Sequence, residues 1–273
     1  MFDTSWFKVL TFFGVWAAIW LPIAFTVSRL IGWQPNQILT PKQKLIFLAS
    51  LYVLTPLIME WKIKVENLSL AELGLRLQPS ILLSILIGLF VSLVSLTLIF
   101  TLESIFKSVS WYWQNGKNLL PLLFPILCLS LLISLIEELI FRGYTFNTLL
   151  IDYPYWFAAA ISSIIFAFLH LIWERKETLP QIPGLWLMGI VLIGARLVDE
   201  GSLGLAIGLH AGWIWGLTCI DSAQLVTYTQ KDNWFTGINQ QPLAGIAGIL
   251  CLILTAVTLW LLGNATHIAD LRY

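Results

Sequence analysis

The chain has 273 residues, of which 58% are hydrophobic and 11% charged, with 15 basic and 15 acidic side chains and a mean hydropathy of +0.85. An average soluble domain carries about 25% charged residues and uses them to cover its surface. This composition excludes an ordinary cytosolic enzyme, a disordered chain and a disulfide scaffold, and leaves a protein whose solvent is lipid. The balanced charge and the lack of a basic run give no electrostatic footprint for nucleic acid.

A bilayer core of about 30 Å asks for about 20 apolar residues in helical form. Read in chain order, eight segments qualify: Val9–Ile31, Leu45–Trp61, Ser80–Leu102, Leu119–Tyr144, Pro154–Trp173, Pro183–Val198, Ser202–Ile220 and Leu243–Gly263. The third and eighth are nearly free of charge, and the second and sixth are the shortest. The first is too long for a cleaved leader and lacks a small-x-small site after it. The resulting expectation is an all-α polytopic bundle of about eight transmembrane helices, one membrane domain over residues 1–273.

Of the connections, Lys62–Pro79 holds "LSLAELGLRL", which reads as an amphipathic surface helix, and Asp221–Pro242 is the other long one. Tryptophans cluster near span ends (Trp6, Trp33, Trp61, Trp111, Trp113, Trp173, Trp260), as residues of the membrane–water boundary do. Cys128, Cys219 and Cys251 lie in apolar stretches without CxxC spacing and read as small core hydrophobes. The Lys/Arg distribution sets no orientation. One side collects Lys8, Lys62, Lys64, Arg76, Arg142, Arg196 and Arg272; the other collects Arg29, Lys42, Lys44, Lys107, Lys117, Arg175, Lys176 and Lys231. An even number of spans places both termini on one side.

Ionisable groups inside apolar spans are the informative ones, because each costs about 2.5–3.5 kcal/mol near a helix centre. The fourth span carries Glu137, Glu138 and Arg142, the fifth His170, and the seventh His210; the third histidine, His267, lies in the tail. Glu138 and Arg142 are one helical turn apart and can neutralise each other. Glu137 is rotated about 100° away on a helix of 3.6 residues per turn, with no partner in its own helix. The plainer reading of the glutamates is a pair solvated in the headgroup layer. The plainer reading of each histidine is a hydrogen bond to a neighbouring helix.

Taken together, carboxylate and imidazoles in three spans are the groups that activate water, as general bases or as zinc ligands. An HExxH zinc motif is absent, so a metal site needs ligands from different helices. In the seventh span Gly204, Gly208, Gly212 and Gly216 form a stripe for close backbone contact, with His210 on the opposite face. Arg196 is expected to pair with Asp199 or Glu200, residues 174–177 to form a solvated loop, and Asp221 to be interfacial.

"EELIFRG" fits EExxxR, "FAFLH" fits FxxxH, and "HAGWI" partly fits HxxxN. In this order, in a chain of this many spans, they resemble the CPBP intramembrane proteases. This family, also called CAAX protease and bacteriocin-processing or Abi, includes the eukaryotic Ras-converting enzyme. The resemblance covers residues 119–220 as a catalytic core. It implies a multi-pass membrane protease in which Glu137 and His170 activate water, His210 helps to stabilise the oxyanion, and Glu138 and Arg142 support the first motif. It leaves open zinc, with Glu137, His170 and His210 as ligands, or a metal-free mechanism. The implied substrate is a membrane-associated peptide, a prenylated CaaX tail or a bacteriocin-like one.

There is one departure: Ile214 stands where the family has an amide or acid, and isoleucine offers no hydrogen bond. Trp215 or Asn147 are candidate substitutes. The alternative reading is a catalytically impaired scaffold or immunity-type protein that keeps the fold. A proton-coupled transporter is a third reading, weakened by the absence of an internal repeat.

Overall fold

A computed structural model describes residues 4–34, 37–172, 175–229 and 233–270, without the side chains of residues 265–270. Trp173, Glu174, Lys231, Arg272 and the side chain of His267 therefore lie outside what is described. In chain order the helices are α1 Ser5–Leu30, α2 Pro41–Tyr52, α3 Thr55–Glu66, α4 Pro79–Ile105, α5 Gly116–Glu138, α6 Phe146–Leu149, α7 Tyr155–Leu169, α8 Arg175–Thr178, α9 Ile182–Val198, α10 Gly204–Ser222 and α11 Ile246–Asp270. A seven-residue π-helical segment, Leu139–Thr145, joins α5 to α6. Two short antiparallel strands, β1 Val109–Trp111 and β2 Val226–Tyr228, pair Ser110 with Thr227. The protein is an all-α, polytopic, multi-pass membrane bundle.

Among the described residues, seven helical stretches are long and apolar enough to cross a bilayer: Ser5–Leu30, Pro41–Glu66, Pro79–Ile105, Trp113–Leu149, Tyr155–Ile172, Arg175–Val198 and Ile246–Asn264. The expected seventh span is also a helix, α10, but its histidine and glycines keep it below that apolar standard. It is instead enclosed by protein, its first ten residues all buried. A helix surrounded by protein need not be as apolar as one facing lipid.

Proline starts several helices, because its fixed φ suits the first turn and its missing N–H is not needed there. Pro41 opens α2, where Thr40 and Gln43 form a reciprocal capping box. Pro79 opens α4 and Pro183 lies in the first turn of α9. The expected short second span is longer and broken. Residues Val53 and Leu54 separate α2 from α3, with Pro56 in the first turn of α3.

The stretch 67–78 is not the expected amphipathic helix. Asn67, at φ 52°, ends α3, and Gly74, at φ 89°, blocks continuation. Between them Ser69 and Glu72 close a single turn: Ser69 N–H donates to Glu72 Oε2 at 2.6 Å, and Glu72 N–H returns to Ser69 Oγ at 3.2 Å. The Gly74 carbonyl then accepts Leu203 N–H at 2.9 Å, docking this connection beside the start of α10. Lys62, expected at the head of the loop, is a buried residue of α3 that pairs with Glu66 at 2.5 Å.

The glycine stripe does what its spacing predicts. A Cβ on Gly208 would strike the Ile85 carbonyl oxygen, one on Gly204 would lie 2.7 Å from the Ser84 Cβ, and one on Gly216 2.6 Å from a Leu96 methyl. α4 and α10 thus meet backbone to backbone, with Gly88 of α4 on the same seam. The opposite face of α10 turns His210 toward α5.

Arg196 does not pair with Asp199 or Glu200. Its guanidinium donates to the Gly201 carbonyl at 3.0 Å, to Asn147 Oδ1 at 2.7 Å and to the Arg142 carbonyl. Asp199 instead accepts from Ser84 Oγ at 2.6 Å and from Leu205 N–H at 3.0 Å. Arg175–Thr178 forms a short helix rather than a loop, with Arg175, Lys176 and Glu177 exposed and Thr178 buried. All three cysteines are free thiols.

Candidate active site

The two glutamates of the first motif end α5, where the helix passes into the π-helical segment. All seven residues of that segment are buried. A π turn leaves carbonyls out of the regular i to i+4 ladder, and such turns recur at functional sites. Here the Phe141 carbonyl accepts the Ser162 hydroxyl of α7 at 2.8 Å, and the Arg142 carbonyl accepts Arg196 of α9. The segment is thereby tied to two neighbouring helices beside the glutamates.

Glu138 and Arg142 form the expected ion pair, Nη1 to Oε1 at 3.0 Å, with neither side chain exposed. The guanidinium lies 4.3 Å from the centroid of the Phe166 ring, a cation–π contact in a desolvated place. Arg142 Nε and Nη2 have no hydrogen-bond partner, so Glu138 and Phe166 carry its stabilisation.

His210 Nδ1 lies 2.7 Å from Glu138 Oε1. An ionised carboxylate can only accept, so Nδ1 carries the hydrogen and Nε2 is turned to Glu137, whose Oε2 is 3.7 Å away. That separation is too wide for a hydrogen bond and short enough for charge to act. Glu137 Oε1 accepts the Tyr52 hydroxyl from α2, while Glu137 Oε2 is buried without a hydrogen-bond partner.

His170 follows the last residue of α7. Its Nδ1 is 2.8 Å from the Phe166 carbonyl, which can only accept, so the neutral ring carries its hydrogen there and leaves Nε2 bare. The FxxxH spacing thus has a structural basis. One helical turn back, Phe166 supplies the carbonyl that fixes the His170 tautomer and a ring that meets His170 edge-on at 4.5 Å. The same ring contacts His210 at 6.1 Å and sits under Arg142.

Glu137, His170 and His210, from three different helices, line one largely apolar cavity of about 740 Å³. Phe100, Trp16, Trp20, Leu185 and Leu252 are among its walls, and Ile214 lies one turn beyond His210 on the same wall. The two candidate substitutes for Ile214 point elsewhere. Trp215 Nε1 donates to the Leu123 carbonyl at 2.9 Å, and Asn147 is held between Arg196 and the Glu72 carbonyl, to which its amide donates at 2.8 Å. Sequence reading missed Tyr52, 85 residues from Glu137 in an apolar segment with no motif to mark it. It also missed Phe166 as the ring shared by Arg142 and both histidines.

Among the described residues no group of three or more His, Cys, Asp and Glu side chains is placed to hold a metal ion. His210 and His170 each turn Nδ1–H to an oxygen acceptor and leave Nε2 free, the orientation that a base, a donor or a ligand at Nε2 would use.

Residues 118–216 match the family described as type II CAAX prenyl endopeptidase Rce1-like. The resemblance carried by the EExxxR and FxxxH motifs holds over this stretch. No curated protein and no solved structure matches the chain.

Proposed function

We propose that this chain, Rce1-like over residues 118–216, is an intramembrane endopeptidase that hydrolyses a peptide bond of a membrane-associated peptide. One observation carries the reading: Glu137, His170 and His210 border a single apolar cavity, with an oxygen on Glu137 that has no hydrogen-bond partner. Burying so many polar groups in lipid surroundings is costly, and catalysis accounts for the expense.

In this reading a water molecule sits between Glu137 Oε2 and the bare Nε2 of His170. Glu137 takes a proton as the water oxygen attacks the scissile carbonyl carbon. The developing oxyanion is met by His210 as an imidazolium, its Nε2–H donating while Glu138 holds Nδ1–H. Fixed donors in a dry cavity stabilise such charge far better than water does. The C–N bond then breaks, and the proton on Glu137 passes to the departing amine. These roles need Glu137 free to accept a proton and His210 able to donate one from Nε2. Glu138 and Arg142 act by holding His210, and Tyr52 by holding the Glu137 carboxylate. No step requires a metal.

Ile214 supplies no second oxyanion donor, and losing one such donor costs about 10²–10³ in rate in other enzymes. A slow peptidase follows. The same residue favours the second reading, a binding protein that keeps the fold. An apolar cavity of about 740 Å³ suits a peptide with an apolar or lipidated tail, a prenylated CaaX segment or a bacteriocin-like peptide.

The test uses purified chain in lipid vesicles, incubated with the membrane-peptide fraction of its host, and reads new peptide termini by mass spectrometry. New termini with wild type that vanish with His170→Ala support the peptidase. Termini made equally by the variant, or none with a folded wild type, favour the binding protein.

A further inference from the structure

Beyond the catalytic cluster the same cavity carries a second ionisable group, Glu103. Its side chain is 2% exposed, and its Oε2 has no hydrogen-bond partner. Among the described residues no ion pair is made to it. A buried carboxyl group without a partner costs several kcal/mol and calls for a reason.

The way Glu103 is placed points to the cavity rather than to structure. Leu96, Ile99, Phe100 and Glu103 fall three and four apart on α4, and all four line the cavity, so Glu103 continues an apolar stripe by one more turn. The helix end is already capped without its side chain. Lys107, at φ 55°, donates its N–H to the Ser104 carbonyl at 3.0 Å, and Ser108 N–H bonds the Glu103 carbonyl at 2.8 Å. Two nearby donors are committed elsewhere: Trp111 Nε1 donates to Ser104 Oγ at 2.8 Å, and Ser104 Oγ to the Phe100 carbonyl at 2.6 Å.

Tyr228 of β2 lines the cavity at the same end. Burial first, then the Glu103 and Asp221 carboxylates, hold its hydroxyl proton above the ordinary phenol range, which places both carboxylates near this end of the cavity. It coincides with the last turn of α4, whose dipole also favours a cation.

We propose that Glu103 is a subsite for a primary ammonium group, the side chain of a lysine carried by an apolar peptide that occupies the cavity. The inference deepens the peptidase reading by naming one feature of its substrate, and it is tested by binding rather than by cleavage. An ammonium entering here gives Glu103 its missing partner, while the apolar walls take the adjoining chain. A charge-assisted hydrogen bond of this kind contributes about 1.5–3 kcal/mol, which corresponds to about 10-fold to 100-fold in affinity.

The experiment titrates the purified full chain in detergent with dodecylammonium and with dodecanol, two probes of equal chain length. Tryptophan fluorescence follows binding, since Trp16, Trp20 and Trp213 line the cavity. The expected result is tighter binding of the amine by wild type, by about 10-fold or more, a preference abolished in Glu103→Gln and retained in Glu103→Asp. Equal binding of both probes by wild type, or an unchanged preference in Glu103→Gln, overturns the proposal. Glu103→Gln is nearly isosteric and removes an unpaired carboxyl, and its thermal unfolding is measured alongside.

Displacement of dodecylammonium by a hydrophobic peptide containing lysine, and not by its norleucine counterpart, supports a peptide ligand. Displacement by phosphatidylethanolamine and not by the lysine peptide overturns that assignment in favour of a lipid amine. The titration involves no cleavage, so failure of the subsite, read as no Glu103-dependent amine preference, and failure of the catalytic reading, read as no new peptide termini in the vesicle assay, give different results.

Discussion

Removing one charge of the buried Glu138–Arg142 pair tests how the site is held. Both side chains have no exposure and lie 3.0 Å apart. Truncating one member of a buried pair costs about 3–5 kcal/mol, because it strands the other charge. In Glu138→Gln the new amide oxygen still accepts from His210 Nδ1, so the lost negative charge dominates. The cation–π contact with Phe166 at 4.3 Å remains, which places the expected cost at the lower end, about 3 kcal/mol. Glu138→Gln combined with Arg142→Met removes both charges at similar volume. Its expected destabilisation is under about 1.5 kcal/mol, smaller than that of the single variant. The assay is equilibrium unfolding in mixed micelles by titration with dodecyl sulfate, followed by tryptophan fluorescence and circular dichroism. A single variant as stable as wild type, or a double variant worse than the single, refutes the reasoning.

Three further outcomes are expected. Gly208→Ala places a Cβ against the Ile85 carbonyl and 3.0 Å from the Gly88 Cα, and should cost about 1–3 kcal/mol in the same assay. Gly194→Ala in α9, with nothing within 4 Å, should be neutral or stabilising by up to about 1 kcal/mol. Tyr52→Phe leaves the Glu137 carboxylate one donor short and should lower kcat about 10-fold or more with little change in KM, read on whichever peptide the vesicle assay identifies. Asp152 accepts the Ser5 N–H at the start of α1 at 2.6 Å, and that bond holds its carboxyl below the usual range. With the folded value depressed, the unfolded chain takes up the proton first as pH falls. The contribution is therefore complete at neutral pH, declines below about 4, and is lost as pH passes through the folded value. The measurement is thermal unfolding against pH, in which Asp152→Asn should lose this acid-side slope.

Much of the fold was legible because a bilayer imposes a length: α1, α4, α9 and α11 lie close to the apolar runs that announce them. Two site features were legible because helical geometry is local. Glu138 and Arg142 meet at one turn, and the glycine stripe of α10 faces away from His210. What escaped depends on contacts between distant segments. Nothing near Tyr52 says that its hydroxyl reaches Glu137, and nothing near Arg196 says that carbonyls of α5's π-helical extension and of the α9–α10 turn lie closer than Asp199. Composition also misled at 67–78, where alternating leucines suggested a helix. Asn67 and Gly74, each with positive φ, together with the Ser69–Glu72 turn, fold that stretch into a connector. Lys62 misled in the same way, since its charge suggested a loop. Its partner Glu66 and the rings of Trp61 and Tyr144, at 5.4 and 5.5 Å, make burial tolerable.

The most direct measurement compares membrane peptidomes of native-host cells carrying wild type or Glu137→Gln at matched expression. The catalytic account predicts that one or more membrane peptides accumulate uncleaved only with the variant, and that their cleaved forms appear only with wild type. Identical peptidomes, alongside a deletion that still has a phenotype, contradict it and make this chain a membrane scaffold in which Ile214 marks the lost chemistry.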